Sequence, residues 1–196
     1  MKKTFSALFV CLLLAYFTVA AFADYPHQRW GIRQDAFFPL ANEMELKTAI
    51  YSYLLELDGM RNSRLDTGIR LGYSGFAANT NTYNANYDMV LAGLGMRYFF
   101  DEREEMVKTL HVFKRYAALD GNFYLASRYQ SITPTSPSSL AGLGVKVGVG
   151  TEYIFGPHSN GFVEGSYLLT SIRSADGAYT LPLNGLVLAF GIRMER

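Results

Sequence analysis

The chain has 196 residues, 18 Lys and Arg against 17 Asp and Glu, and a single cysteine. A near-neutral charge gives no basis for nucleic-acid binding, and one cysteine permits neither an internal disulfide nor a cysteine metal cluster. Eighteen Gly, fourteen Tyr and fourteen Phe are typical instead of β-structure with tight packing and aromatic residues at interfaces.

Residues 1–23 predict a cleaved signal peptide. Two lysines precede an apolar stretch over residues 7–20, and the tripeptide that ends at Ala23 has the small-x-small pattern of a cleavage site. We therefore expect the protein to be exported and its mature domain to cover residues 24–196. Cys11 lies in the signal peptide, so the mature domain would contain no cysteine. The alternative is an uncleaved anchor helix, because the apolar stretch is nearly long enough to span a bilayer.

The rest of the chain alternates with a period of two residues. Between Leu143 and Tyr153, valines and other apolar residues fall on one face, while glycines, Lys146 and Glu152 fall on the other. The predicted strands are about 11 to 17 residues long, whereas ordinary strands have roughly five or six. Eight strands are predicted, over residues 28–38, 44–57, 62–76, 87–100, 111–127, 140–155, 161–173 and 184–194.

This pattern predicts an all-β fold, an eight-stranded antiparallel transmembrane β-barrel. A tilted strand of about nine to eleven residues crosses a bilayer, and an even strand number closes the barrel so that no edge remains unpaired. The segment 28–38 is either the first strand or an N-terminal arm. Polar loops follow the odd-numbered strands and shorter turns the even-numbered ones, except for the charge run at residues 101–105.

The two faces of the strands predict where each side chain lies. The apolar face should contact lipid, and its predicted positions are Ile69, Leu71, Leu94, Met96, Val145, Val147, Val149, Leu188 and Phe190. The other face carries charges of both signs, which a narrow lumen tolerates only when they are paired. We expect a lumen charge network of Asp66, Arg70, Arg97, Asp120, Lys146, Glu152, Glu164 and Arg193.

Two details of this network stay open in the sequence. Arg97 should find its acidic partner among Asp66, Asp120 and Glu152, which share its predicted face. The alternative is that several of the charges lie near the barrel ends and are solvated.

The sequence predicts no catalytic, metal or cofactor site. The mature chain has three histidines, His27, His111 and His158, and the strand order places all of them at the end of the barrel that carries the shorter turns. There is no His-x-x-x-His pair and no Gly-rich phosphate loop between a strand and a helix. Adjacent His158 and Ser159 would point to opposite faces of one strand, which is unsuitable for a catalytic pair.

The signal peptide, the alternating strands, the Gly-rich lumen face and the last strand together resemble the outer-membrane β-barrel family of the OmpA, OmpX and opacity-protein type. In the last strand Gly185 is followed by Leu188 and Phe190, which is similar to the assembly signal of such proteins. The chain departs from the family by continuing to Arg196 instead of ending on an aromatic residue. The resemblance implies an outer-membrane location, contact with lipid, lipopolysaccharide and the outer-membrane assembly machinery, and no cofactor.

Three functions are compatible with these patterns. The preferred one is a non-enzymatic outer-membrane barrel with a filled lumen, whose surface loops serve envelope integrity or adhesion. The alternatives are a small outer-membrane lipid-modifying enzyme and a soluble periplasmic lipocalin-like carrier. The carrier would need apolar side chains inside and polar ones outside, the reverse of the predicted faces.

Overall fold

The structure is a computed structural model. It describes residues 28–40, 50–60, 64–79, 84–101, 112–131, 137–175, 177–181 and 183–195. The predicted signal peptide (1–23), the first part of the predicted second strand (44–49) and most of the charge run (102–105) lie outside these residues. No helix in the described part of the chain is long and apolar enough to cross a bilayer.

Eight long strands and one short strand make up the fold of the described residues. Neighbouring strands pair antiparallel in the order β6-β5-β4-β3-β2-β1-β9-β7, and β6 also pairs with β7, which closes the barrel. The strands are β1 (Gln28–Pro39), β2 (Ile50–Met60), β3 (Leu65–Asn79), β4 (Asn84–Phe99), β5 (Phe113–Ser131), β6 (Ser139–Gly156), β7 (Ser159–Ser174), β8 (Thr180–Leu181) and β9 (Gly185–Glu195). Among the described residues the two-residue β8 pairs with β7 alone and takes no part in closing the barrel, so the predicted eight-stranded antiparallel barrel is confirmed.

The segment predicted as either strand or arm is a strand. Trp30 pairs in register with Leu57 of β2 on one side and with Met194 of β9 on the other. β1 is therefore the strand at which the barrel closes onto the last strand, and without it β2 and β9 would keep unpaired edges.

Several strands run further than their sequence patterns indicate. β3 and β4 pair as far as Asn79 and Asn84, so most of the loop predicted over residues 77–86 is strand. β5 continues to Ser131, and β2 continues to Met60. The last extension matters for the interior, because it moves Asp58 from a predicted turn into a strand.

The barrel has two ends, which we name by their connections. The turn end contains the start of β1, the end of β9 and the β2–β3, β4–β5 and β6–β7 connections. At the loop end the β1–β2, β3–β4, β5–β6 and β7–β9 connections lie. The β6–β7 connection is the shortest at the turn end, with only Pro157 and His158 outside the strands.

The outer surface is an apolar belt. Eight of the nine predicted lipid-facing side chains are exposed, from 40% at Met96 to 64% at Val149. The exception is Ile69, which is only 7% exposed although it shares a strand face with Leu71; it lies between Leu57 and Leu94 in register. Such an exterior suits hydrocarbon and excludes the inverted arrangement of a lipocalin-like carrier.

The interior differs between the two ends. Toward the turn end it is charged. Toward the loop end it is an apolar cluster instead of the polar and glycine-lined lumen that the alternation predicts. The cluster consists of Phe37, Ile50, Leu54, Phe76, Ala85, Tyr87, Met89, Leu91, Tyr124, Ala126, Leu140, Leu168, Ile172, Leu181, Leu183 and Val187.

The β7–β9 connection folds into the mouth of the barrel at the loop end. Leu181 and Leu183 of this segment are buried in the apolar cluster. The amide of Leu183 donates to Thr170 Oγ1 at 2.8 Å, and the amide of Thr170 donates to Asn184 Oδ1 at 2.8 Å. These bonds tie the connection to β7, so its apolar side chains complete the interior.

Candidate functional site: the charged lumen

The charged half of the lumen is built by inward-facing positions of all the long strands. Seven basic and seven acidic side chains are buried there, so the described interior is electrically balanced. All eight residues of the predicted network are among them. The set is Arg29, Arg33, Arg70, Arg97, Lys114, Lys146 and Arg193 with Asp35, Glu56, Asp58, Asp66, Asp120, Glu152 and Glu164.

Glu56 is the centre of this network. Its Oε1 lies 2.6 Å from Arg97 Nη2, 3.2 Å from Arg70 Nε and 3.4 Å from Arg33 Nη1, and its Oε2 lies 2.9 Å from Arg193 Nε. These four guanidinium groups come from β4, β3, β1 and β9, so one carboxylate of β2 joins five strands. Arg97, Arg33 and Arg193 donate hydrogen bonds to Glu56, whereas Arg70 forms an ion pair with it. Charge-assisted hydrogen bonds are stronger than neutral ones.

A second group of ion pairs lies toward the turn end. Arg29 contacts Asp66 and Glu152, each at 3.0 Å. Glu152 also accepts a hydrogen bond from Arg193 Nη1. Because Arg193 also contacts Glu56, this group is continuous with the central one.

A third group borders the apolar cluster. Lys146 Nζ lies 3.1 Å from Asp35 and 3.0 Å from Asp120, and Asp35 also accepts a hydrogen bond from Arg33. Arg33 in turn contacts Glu164 at 2.8 Å. Through Arg33 this group joins the centre as well, so the ion pairs run without interruption from the turn end to the apolar half.

Two aromatic side chains lie among the charges. The Phe162 ring centroid is 3.6 Å from the guanidinium carbon of Arg193, which is close enough for a cation–π contact. The hydroxyl of Tyr116 donates to Glu164 at 3.2 Å. These rings fill space between the arginines and help to exclude water.

Glycine at position 95 makes room for two charged side chains. A Cβ at Gly95 would lie 2.5 Å from Asp120 Oδ1 and 2.7 Å from Arg70 Nη2, which is closer than carbon atoms approach such groups. At this position the Gly-rich lumen face seen in the sequence therefore has a packing reason. The side chains of Asp120 and Arg70 occupy the space that the Cβ of any other residue would need.

The partners of Arg97 differ from those expected. Its ion pairs within the described residues go to Glu56 at 2.6 Å, Asp58 at 3.0 Å and Glu164 at 3.8 Å. Asp66 lies opposite Arg97 in the β3–β4 register, but its carboxylate contacts Arg29. A long side chain reaches across a narrow lumen, so register alone does not identify its partner.

Six members of the charged set were absent from the predicted network: Arg29, Arg33, Asp35, Glu56, Asp58 and Lys114. Five of the six lie on the first two strands, of which the first was predicted as either a strand or an N-terminal arm. A signal was present, since Glu56 and Asp58 alternate with Leu55 and Leu57 in the same way as the residues of β6 do.

The described residues offer little for catalysis or metal binding. His158 is exposed in the β6–β7 turn, whereas His27 and His111 lie outside the described residues. No group of three or more potential metal ligands is found in the described part of the chain. The buried carboxylates of the lumen are instead held by arginine and lysine side chains.

Comparisons with known proteins identify the fold. No protein-family model and no curated protein matches the chain. The outer membrane protein OprG from Pseudomonas aeruginosa superposes with a TM-score of 0.57 at 12% identity, over 87% of this chain and 95% of that one. Neisserial surface protein A matches with a TM-score of 0.49 at 15% identity, over 86% and 95% of the two chains.

The fold is that of the eight-stranded outer-membrane β-barrels. The closed antiparallel barrel and its apolar belt fit the hydrocarbon of a bilayer, and the structural neighbours are outer-membrane barrels. The architecture of the described chain is accordingly that of an outer-membrane barrel of the OmpA/OmpX type.

Proposed function

We propose that the protein is a closed, non-enzymatic outer-membrane barrel that serves envelope integrity or surface interaction through its loop end. The observation that carries this proposal is the filled lumen. Side chains occupy the interior over its whole height, with the ion-pair network in one half and the apolar cluster in the other.

The chemistry of the two halves argues against a conduction pathway. The charged half is balanced in sign, so it lacks the excess charge by which pores concentrate ions. The apolar half offers permeating ions no replacement for their hydration shells. An eight-stranded barrel is also just wide enough for side chains to fill.

The same interior argues against an enzyme. Acyl transfer needs a nucleophile beside a general base with access to substrate. The described lumen has no histidine, and its carboxylates are paired with cations; Glu164, which also accepts a hydrogen bond from the buried Tyr116 hydroxyl, is paired with Arg33. This supports a scaffold role over lipid modification.

The loops of the loop end supply the surface for interaction. Their sequences are polar, with an Asn/Thr-rich segment at residues 79–82 and a Ser/Thr/Pro-rich segment at residues 133–137. Longer polar loops of such barrels face the outside of the cell. A rigid, closed barrel would hold these loops at fixed positions above the membrane.

Deletion of the protein in its host tests this proposal. We expect greater sensitivity to detergents and bile salts, or weaker adherence to surfaces, with an unchanged lipid A mass spectrum. Complementation with a variant in which residues 132–136 are replaced by a short Gly/Ser turn separates the two roles: integrity should return, while adherence should not. A change in lipid A acylation, or no change in any of the three measurements, contradicts the proposal.

A further inference from the structure

An apolar groove lies on the outside of the barrel toward the turn end. Its volume is about 310 Å³, near the lower limit of about 300 Å³ for small-molecule sites. It spans β5, β6, β7 and β9 and is lined chiefly by Phe113, Tyr153, Gly161, Val163, Phe190 and Ile192. Phe113 and Ile192 are 65% and 50% exposed, so the groove opens to the lipid-facing surface.

The groove is concave because a side chain is missing from its floor. Gly161 pairs with Tyr153 of β6 and with Ile192 of β9, whose larger side chains form the two walls. On the β6 side the rings of Tyr153 and Phe113 lie 4.8 Å apart. A Cβ at Gly161 would lie 3.6 Å from the Phe155 ring, an ordinary van der Waals distance, so this position has room for a small side chain and the floor of the groove stays low.

A cation lies beside the groove on the same outer face. Arg115 is exposed and pairs in register with Thr151, which lines the groove. No hydrogen bond or ion pair joins its side chain to another described residue. A charge on the lipid-facing surface is costly in hydrocarbon, and a phosphate at the membrane interface would compensate it.

We propose that the groove and Arg115 form a binding site for one glycerophospholipid of the periplasmic leaflet. An acyl chain occupies the groove, and the lipid phosphate contacts the Arg115 guanidinium. The leaflet follows from the short β6–β7 turn at this end, since short turns of such barrels face the periplasm. Glycerophospholipids form that leaflet, whereas lipopolysaccharide occupies the outer one.

Native mass spectrometry of the purified full chain tests the site, with dimyristoylphosphatidylglycerol added to detergent micelles. We expect one retained phospholipid per barrel. Gly161→Phe fills the groove and should abolish retention. Gly165→Phe is the matched control, because Gly165 lies on the same strand and the space around its Cβ is open, but it does not line the groove.

The role of Arg115 is tested by the same measurement of retained phospholipid. Arg115→Gln should lower retention about fivefold, the effect of one cation at a lipid phosphate. Arg173→Gln is its control, since Arg173 is also exposed but lies at the loop end of β7. Equal losses for both arginine variants would show non-specific charge attraction and overturn the role of Arg115.

A second groove-filling variant and the retention of lipid A are also measured. If Gly161→Phe does not assemble, as judged by its shift on unheated gels, Val163→Trp replaces it as a groove-filling variant. Retention that survives both substitutions overturns the site. Retention of lipid A that disappears with groove filling would overturn the assignment to the periplasmic leaflet. None of these outcomes depends on the roles proposed for the loops.

Discussion

At the scale of single residues, the stability of the charged lumen depends on its buried ion pairs. Glu56 is the residue whose substitution tests this dependence most directly. Its carboxylate contacts four arginines and is fully buried. Removing one partner of a buried pair leaves an uncompensated charge, at a cost of about 3–5 kcal/mol. Replacing the whole network by apolar groups of similar volume need not cost this much. Loss of a single member should therefore destabilise the barrel more than replacement of the whole network would, because each buried charge needs its partners.

We expect Arg97→Ala and Glu56→Ala each to lower the free energy of unfolding by about 3–5 kcal/mol, measured by urea unfolding in lipid vesicles. The double variant should lose less than the sum, because the two groups are in contact. Arg97→Ala with Asp120→Ala is the control, since Asp120 pairs with Lys146 instead. Equal coupling in both double variants would contradict the contacts seen here.

Gly95→Ala tests the close packing of the lumen. The added Cβ would collide with Asp120 and Arg70, so we expect a loss of about 1–3 kcal/mol, as for other overpacked sites. Gly121→Ala is the matched control because nothing lies within 4 Å of its Cβ position. The shift from folded to unfolded mobility on heated gels would report the difference, and identical midpoints for the two variants would refute a packing role for Gly95.

At the scale of strands, the alternation in the sequence predicted the strand number, the pairing and most outward positions. It failed where both faces of a strand are apolar. Leu54 and Leu55, for instance, point to the interior and to lipid respectively, and period alone does not separate two apolar environments. The apolar half of the lumen was missed for this reason.

The predicted end of the second strand explains why Asp58 was absent from the predicted charge network. Asp58 falls just beyond the predicted second strand, 44–57, and its Asp-Gly dipeptide is typical of turns. In the structure Asp58 instead pairs with Arg29 of β1 and Gly68 of β3 in register. Pairing partners on two sides outweigh a local turn preference. Which acid meets which arginine depends on distances across the lumen, and a single strand contains no information about them.

A charge at mid-depth on the lipid face of β6 tests the assignment of the faces. Val147 is 56% exposed and lies in the middle of the strand, so Val147→Arg should cost about 2–4 kcal/mol. Ala141→Arg is the control near the loop end of the same face, where the cost falls to about 0–1 kcal/mol. Unfolding in vesicles of defined thickness would measure both, and equal costs would mean that this face does not cross the hydrocarbon.

At the scale of the whole molecule, two different interiors are stacked in one barrel. The charged half fixes the positions of the strands through directed contacts, while the apolar half is closed by the β7–β9 connection. Tyr87 of the apolar cluster also donates a hydrogen bond to the carbonyl of Pro137, at 3.0 Å, and so ties the β5–β6 connection to the interior. We therefore expect either half alone to block the lumen.

This redundancy gives the last prediction. Purified protein in planar bilayers should show no stable porin-like conductance, and the double variant Tyr87→Ala/Leu181→Ala should remain closed although it opens space among the apolar side chains. The reason is that the ion-pair network below still fills the lumen, so water entering from the loop end meets paired charges instead of a channel. A folded double variant with a steady, large conductance would show that the apolar half is the only barrier. The same conductance in the unmodified protein would show that the charged lumen is hydrated, and the proposed closed scaffold would then be wrong.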